Sequence, residues 1–266
     1  MKLFFRKSGS GDPIIILHGL YGSSDNWHSI GRKLAEEFTV YSIDQRNHGQ
    51  SPHHPEHDYE VLAEDLKSFL LEQAVSKPVI LGHSMGGKAA LAFGLKYPDR
   101  VKKMIVVDIS PLGYPYQAFS AESSSHERII QALQSIDPAQ LASREEADTM
   151  LQKTIAPATI RQFLLKNLKR SREGKFFWAL NIPALAENLP AIYAGIIPES
   201  MPGGIPQFPL LFIKGEYSRY IRRSDEEAIR LYFPWAGIEV ISGAGHWVHA
   251  EQPDAFLRAV LNFIKD

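Results

Sequence analysis

The chain has 266 residues, a length that suits one α/β core carrying an insertion. Its 29 Lys and Arg nearly balance 30 Asp and Glu, so no overall field draws it to nucleic acid or to an anionic membrane surface. It contains no cysteine, which excludes disulfides, thiolate metal sites and a cysteine nucleophile, and leaves serine to do any covalent chemistry of that type.

Residues 1–9 hold too short an apolar run for a secretory signal, and no run of about 18 apolar residues occurs. A soluble, cytoplasmic protein without membrane insertion is expected. Residues 2–7 suit an edge strand. Short apolar runs then recur at 14–17, 40–43, 79–81, 104–107, 210–213 and 238–241. They lack polar alternation, which predicts parallel strands covered on both faces. Helical patterns at 26–37, 59–73, 86–96, 226–232 and 253–264 fall between and after them. Strands alternating with helices predict a doubly wound, mostly parallel sheet.

Between Pro111 and Pro209 the rhythm breaks, and this stretch carries helix signals but no convincing strand. Asp137-Pro138 and Ala156-Pro157 read as helix boundaries, residues 159–170 have helical apolar spacing, and Gly203-Gly204-Ile205-Pro206 reads as a return linker. A structureless loop of that length is implausible. The expectation is an α/β core formed by 1–110 and 209–266, with a helical cap inserted at 111–208.

The chemistry centres on Gly82-His83-Ser84-Met85-Gly86, which follows an apolar run and opens a helical pattern. Strand, sharp turn and helix are the context of a nucleophile elbow, in which the serine hydroxyl is exposed on a strained turn. Gly-x-Ser-x-Gly alone is expected by chance in about one chain of this length in ten, so the motif needs partners. A serine hydroxyl needs a base and a group to orient that base. Gly243-Ala244-Gly245-His246 supplies a glycine-flanked histidine between the last strand and the last helix, and His246 is the candidate base. His249, one turn on, is expected to make a structural hydrogen bond. An oxyanion hole joins the amide after the nucleophile, Met85, to one from the turn after an earlier strand. Leu20, in Leu17-His18-Gly19-Leu20-Tyr21-Gly22, is the second candidate donor, with His18 expected to support that loop.

On these motifs, together with Asp44-Gln45-Arg46-Asn47-His48-Gly49-Gln50-Ser51, the chain resembles the α/β-hydrolase superfamily over essentially its full length. That last motif and Phe177-Trp178-Ala179-Leu180-Asn181-Ile182-Pro183 resemble a subgroup of small bacterial carboxylesterases and thioesterases and their mitochondrial relatives. Asp44, Arg46 and Asn47 are expected to brace their turn. The nearby His48, His53, His54 and His57 are irregularly spaced on a Pro-containing loop and are expected to be solvated rather than metal-bound.

The acid departs from the superfamily's usual pattern. Where that pattern places aspartate, after Gly215, this chain has Glu216-Tyr217-Ser218. Asp108, which ends the strand after the nucleophile strand, is the preferred acid, as the resemblance to the subgroup implies. Glu216 and Asp225 remain as alternatives, and Ser218 is expected to support the carboxylate or imidazole.

The resemblance and the motifs imply a serine hydrolase of carboxylic esters or thioesters, with Ser84 as nucleophile, His246 as base and Asp108 as acid. Its partner is a small-molecule acyl ester or thioester. No metal and no organic cofactor are expected, and the oligomeric state is left open. Carbon-carbon bond hydrolysis and cofactor-free perhydrolysis would use the same triad, because the fold does not fix the leaving group. A hydrolase-like ligand-binding protein without turnover is the rival from another class. Tyr21, Phe177, Trp178 and Trp247 are candidates for the substrate pocket, and Phe176 for the core of the cap.

Overall fold

A computed structural model of the chain describes residues 1–114, 125–197 and 207–266. Its strands are β1 (Phe5–Ser8), β2 (Pro13–Leu17), β3 (Thr39–Ile43), β4 (Val79–His83), β5 (Lys103–Val107), β6 (Leu168–Arg170), β7 (Phe176–Trp178), β8 (Leu210–Gly215) and β9 (Gly237–Ile241). Seven of them form one sheet in the order β1-β3-β2-β4-β5-β8-β9. Only β1 runs antiparallel, on the edge beside β3.

The helices are α1 (His28–Leu34), α2 (Tyr59–Glu72), α3 (Met85–Lys96), α4 (His126–Gln134), α5 (Arg144–Gln152), α6 (Ala158–Leu165), α7 (Ile182–Glu187), α8 (Leu189–Tyr193), α9 (Arg223–Tyr232), α10 (Val248–Glu251) and α11 (Pro253–Lys265). The uninterrupted apolar character of β2, β4 and β5 follows from coverage on both faces. Successive residues of β2 serve different cores. Ile15 and Leu17 join Leu66 and Phe69 of α2 and Phe93 of α3, while Ile14 and Ile16 join Leu34 of α1 and Phe256 and Val260 of α11. A strand that is buried on both sides has no reason to alternate polar and apolar residues.

The helix expected over 26–37 is shorter: a 3₁₀ turn at Ser24–Trp27 leads into α1, which ends at Leu34. Between β5 and β8 the chain leaves the sheet and forms α4 to α8. The expectation that this stretch holds no strand is corrected by β6 and β7, an antiparallel hairpin pairing Leu168 with Trp178 and Arg170 with Phe176. Three-residue strands are too short to show a period. Their turn is made by Gly174 at φ +82°, a conformation that glycine adopts without strain. The helical spacing expected over 159–170 therefore stops with α6. Gly203-Gly204-Ile205-Pro206 lies outside the described residues.

The turns after β2, β4 and β5, at the carboxyl ends of parallel strands, carry His18, Ser84 and Asp108. Open α/β sheets bind ligands at such ends.

Candidate active site

Ser84 joins β4 to α3 with φ 53° and ψ −122°, a region that non-glycine residues rarely occupy. Such a conformation costs about 1–3 kcal/mol and persists only where its surroundings enforce it. Here the Ser84 amide donates to Val107 O at 2.9 Å, and Ser84 O accepts from Gly87 N at 2.8 Å. The two motif glycines permit the crossing. A Cβ on Gly82 would lie 2.2 Å from Gly86 O, and one on Gly86 would lie 2.4 Å from Leu17 O.

His246, on the loop between β9 and α10, places Nε2 3.2 Å from Ser84 Oγ and Nδ1 2.7 Å from Asp108 Oδ2. An ionised carboxylate only accepts, so Nδ1 carries the proton and Nε2 is left to accept from the serine hydroxyl. Asp108 is fully buried at the end of β5, and a buried carboxylate is tolerated only when donors surround it. Besides His246, it accepts from Gly215 N at 3.1 Å and from the Ser218 hydroxyl. Glu216 is exposed and accepts from Gly243 N at 2.8 Å, while Asp225 accepts from Arg222 N at 2.8 Å at the start of α9. The structure thus brings Asp108, and neither alternative acid, to the imidazole.

Tyr220 stacks on the His246 ring, centroids 3.9 Å apart and 22° from parallel. Behind the imidazole, His83 Nε2 donates to His246 O at 2.9 Å, and burial holds His83 neutral by pushing its pKa well below the ordinary histidine value. His249 stacks on Trp27 at 4.0 Å, and its Nδ1 has no hydrogen-bond partner among the described residues. The expectation of a structural hydrogen bond is corrected to one of ring packing.

The Leu20 and Met85 amides lie on the two turns flanking Ser84, and among the described residues neither donates to a protein acceptor. Two buried histidines hold the Leu20 turn. His18 Nδ1 donates to Gly19 O at 2.8 Å and its Nε2 accepts from Gln45 N at 2.9 Å. His48 Nδ1 donates to Arg46 O at 2.9 Å and its Nε2 accepts from Tyr21 N at 3.1 Å. Each ring needs one donor and one acceptor, hence the neutral form. Burial lowers His18 to about 4 and His48 to about 3. His48 and His57 are therefore not solvated, contrary to expectation: both are buried, and His48 pairs with Leu180 of the insertion, while His53 is exposed and His54 half-buried. Among the described residues no group of three or more His, Cys, Asp or Glu side chains could hold a metal ion.

The rest of that loop is structural. Asp44 accepts from Ser24 N at 2.6 Å and Gln50 N at 2.9 Å, and a Cβ on Gly49 would strike its carboxylate at 2.1 Å. Arg46 pairs with buried Asp65 at 2.6 Å. Asn47 accepts at its side chain from Asn181 Nδ2 and at its backbone O from Asn181 N, both at 3.0 Å. The two motifs read separately in the sequence are thus bonded to one another.

Over Ser84 lies a cavity of about 610 Å³, lined among others by Tyr21, Ile129, Ile160, Phe163, Tyr220 and Trp247. Tyr21 and Trp247 were expected there. Phe177 and Trp178 do not line it. In β7 side chains alternate, so Phe176 faces the core, Phe177 is 44% exposed and Trp178 packs at the margin of the core. Among the described residues, the insertion places Phe163 of α6 in the cavity, 5.4 Å from Trp247.

A mostly parallel sheet with a strained serine elbow after a central strand defines the α/β-hydrolase class. The family model for the alpha/beta hydrolase fold matches residues 12–253, and the chain belongs to that family. It is 35% identical over 273 residues to the sn-1-specific diacylglycerol lipase ABHD11 of Danio rerio, covering 98% of this chain and 81% of that protein. It is 35% identical over 257 residues to esterase YbfF of Escherichia coli K12, covering 97% of this chain and 94% of that one. A solved structure described as a marine microorganism esterase superposes with a TM-score of 0.92 at 47% identity, covering 98% of this chain and 99% of that one.

Proposed function

We propose that the protein is a serine hydrolase of carboxylic esters in which Ser84, His246 and Asp108 form the catalytic triad. The observation that carries this reading is the continuous relay from a buried Asp108 through His246 to a serine on a strained turn. His246 takes the Ser84 proton as Oγ bonds to the carbonyl carbon, and Asp108 stabilises the imidazolium. The Leu20 and Met85 amides receive the oxyanion. On collapse the bond to the leaving oxygen breaks, and His246 gives that oxygen its proton. Water then attacks the acyl carbon, His246 accepts its proton and returns it to Ser84 Oγ, and the carboxylic acid is released.

Esterase and lipase names among close relatives support ester bonds as the substrate class. Thioesters would follow the same steps with sulfur as the leaving atom. Residues 111–208 act as a cap over the site, consistent with the cavity-lining Ile129, Ile160 and Phe163. No helix of the described residues is long and apolar enough to cross a membrane. The test is hydrolysis of a panel of oxygen esters and thioesters with identification of products. Release of carboxylate and alcohol or thiol that Ser84→Ala abolishes supports the reading. Cleavage of a carbon-carbon bond, or peracid formation as the main activity, replaces it.

A further inference from the structure

Ser84 borders two unequal spaces. One is the cavity of about 610 Å³, which His246 helps to line. The second is a pocket of about 20 Å³, which shares Leu20, His126 and Tyr220 with the first and is otherwise walled among the described residues by Tyr59, Met85, Ile109, Tyr114, Ile192 and Tyr193, and not by His246. We infer that the enzyme acts on esters of short acyl groups, acetyl above all, carried on bulky alcohols. This rests on the triad reading.

The direction follows from where protons must go. In the tetrahedral intermediate the carbonyl carbon bears Ser84 Oγ, the oxyanion, the leaving oxygen and the acyl substituent. The leaving oxygen has to receive its proton from His246, so it and its alcohol lie on the His246 side, in the large cavity. The oxyanion turns to the Leu20 and Met85 amides. The acyl substituent is left with the small pocket, which Leu20 and Met85 also border.

A single water needs roughly 10–15 Å³ of such space, so this pocket takes about one or two atoms of comparable size. Its walls are fixed. The Tyr59 hydroxyl donates to Ile192 O at 2.6 Å, and the Tyr114 hydroxyl donates to Tyr220 O at 2.6 Å while accepting from Ser110 N at 3.0 Å. Lys88, fully buried on α3, donates from Nζ to Ala194 O at 2.7 Å, just past α8. Enlarging the pocket would break such bonds or displace close-packed rings, so a longer chain is rejected rather than accommodated. The large cavity, by contrast, has the size and apolar walls of a small-molecule site.

Two substrate series test this. One varies the acyl group on 4-nitrophenol from acetate through butyrate and hexanoate to octanoate; the other holds acetate constant and varies the alcohol from ethanol through benzyl alcohol to 2-naphthol. In the first series kcat/KM is expected to be highest at acetate and to fall about tenfold or more per added pair of carbons. In the second it is sustained or rises with alcohol size. Ile192→Ala, or Ile109→Ala should the first variant not fold, shifts the optimum to longer acyl groups. A wild-type optimum at hexanoate or octanoate that still depends on Ser84 overturns the inference and leaves the hydrolase reading intact. Absence of turnover in both series, or turnover undiminished in Ser84→Ala, overturns the hydrolase reading itself.

Discussion

The ring of Tyr220 lies on the ring of His246, 3.9 Å between centroids and 22° from parallel. The face of an aromatic ring attracts a cation, and imidazole becomes a cation only when it holds the serine proton. In the proposed mechanism the stack would favour the imidazolium formed during acyl transfer and limit rotation of the His246 ring. Tyr220→Leu is expected to lower kcat by about 3- to 30-fold, from ~0.5–2 kcal/mol of cation–ring attraction. Tyr220→Phe retains most activity. Steady-state kinetics of the two variants checks this, and equal loss in both would assign the effect to the hydroxyl instead.

The acid assignment separates by two conservative changes. Asp108→Asn keeps the shape but favours the wrong imidazole tautomer, with an expected loss of about 10⁴-fold in kcat. Glu216→Gln alters only a contact to Gly243 N and is expected to change kcat by less than about twofold, since surface changes of this kind perturb little. A crippled Glu216→Gln with an active Asp108→Asn would reverse the assignment.

The cavity wall gives a third contrast. Phe163→Ala is expected to raise KM for aromatic-alcohol acetates about tenfold while leaving kcat nearly unchanged, the signature of lost uniform binding. Phe177→Ala, at a side chain pointing away from the cavity, is expected to leave both constants alone. If Phe177→Ala shifts KM and Phe163→Ala does not, the insertion meets the substrate through β7 rather than α6.

Much of this arrangement is legible in the sequence because it depends on local chemistry. Gly82 and Gly86 bracket Ser84 where an apolar run meets a helical one, and Ser218 standing where an acid is usual directs attention to Asp108. What is not legible arises from tertiary packing. Phe163 and Tyr220 reach the site from separate segments, and nothing in their neighbours distinguishes them from ordinary core or loop aromatics. The β6–β7 hairpin is too short for periodicity to reveal, so the alternation that turns Phe177 outward is hidden as well. The histidines of the Asp44 loop look solvated because proline and polar residues surround them. Burial of His48 comes from tertiary contacts, with Tyr21 and His18 of the Leu20 turn on one hand and with the insertion on the other, where Asn47 meets Asn181.

Those buried histidines predict the acid side of the stability curve. His18 and His48 ordinarily titrate near 6.5 and are lowered to about 4 and about 3 by burial, so below pH 6.5 the unfolded chain binds protons that the native protein refuses. Their contribution is complete above about pH 6.5 and is lost as pH falls toward the native values. The slope is at most about 1.4 kcal/mol per pH unit for each ring. Urea unfolding between pH 7 and 5 is expected to show stability falling with pH. His48→Gln is expected to remove about one ring's share of that slope, and an unchanged slope in the folded variant would show that His48 is not held neutral.

Every step of the proposed chemistry depends on Ser84 as the nucleophile. The most direct measurement is reaction with a fluorophosphonate followed by peptide mapping by mass spectrometry, with Ser84→Ala as the parallel sample. The expected result is one covalent adduct per chain on Ser84, loss of ester hydrolysis in step with labelling, and neither labelling nor turnover in a folded Ser84→Ala protein. An adduct on a different serine, or full hydrolysis by Ser84→Ala, would show that another residue is the nucleophile.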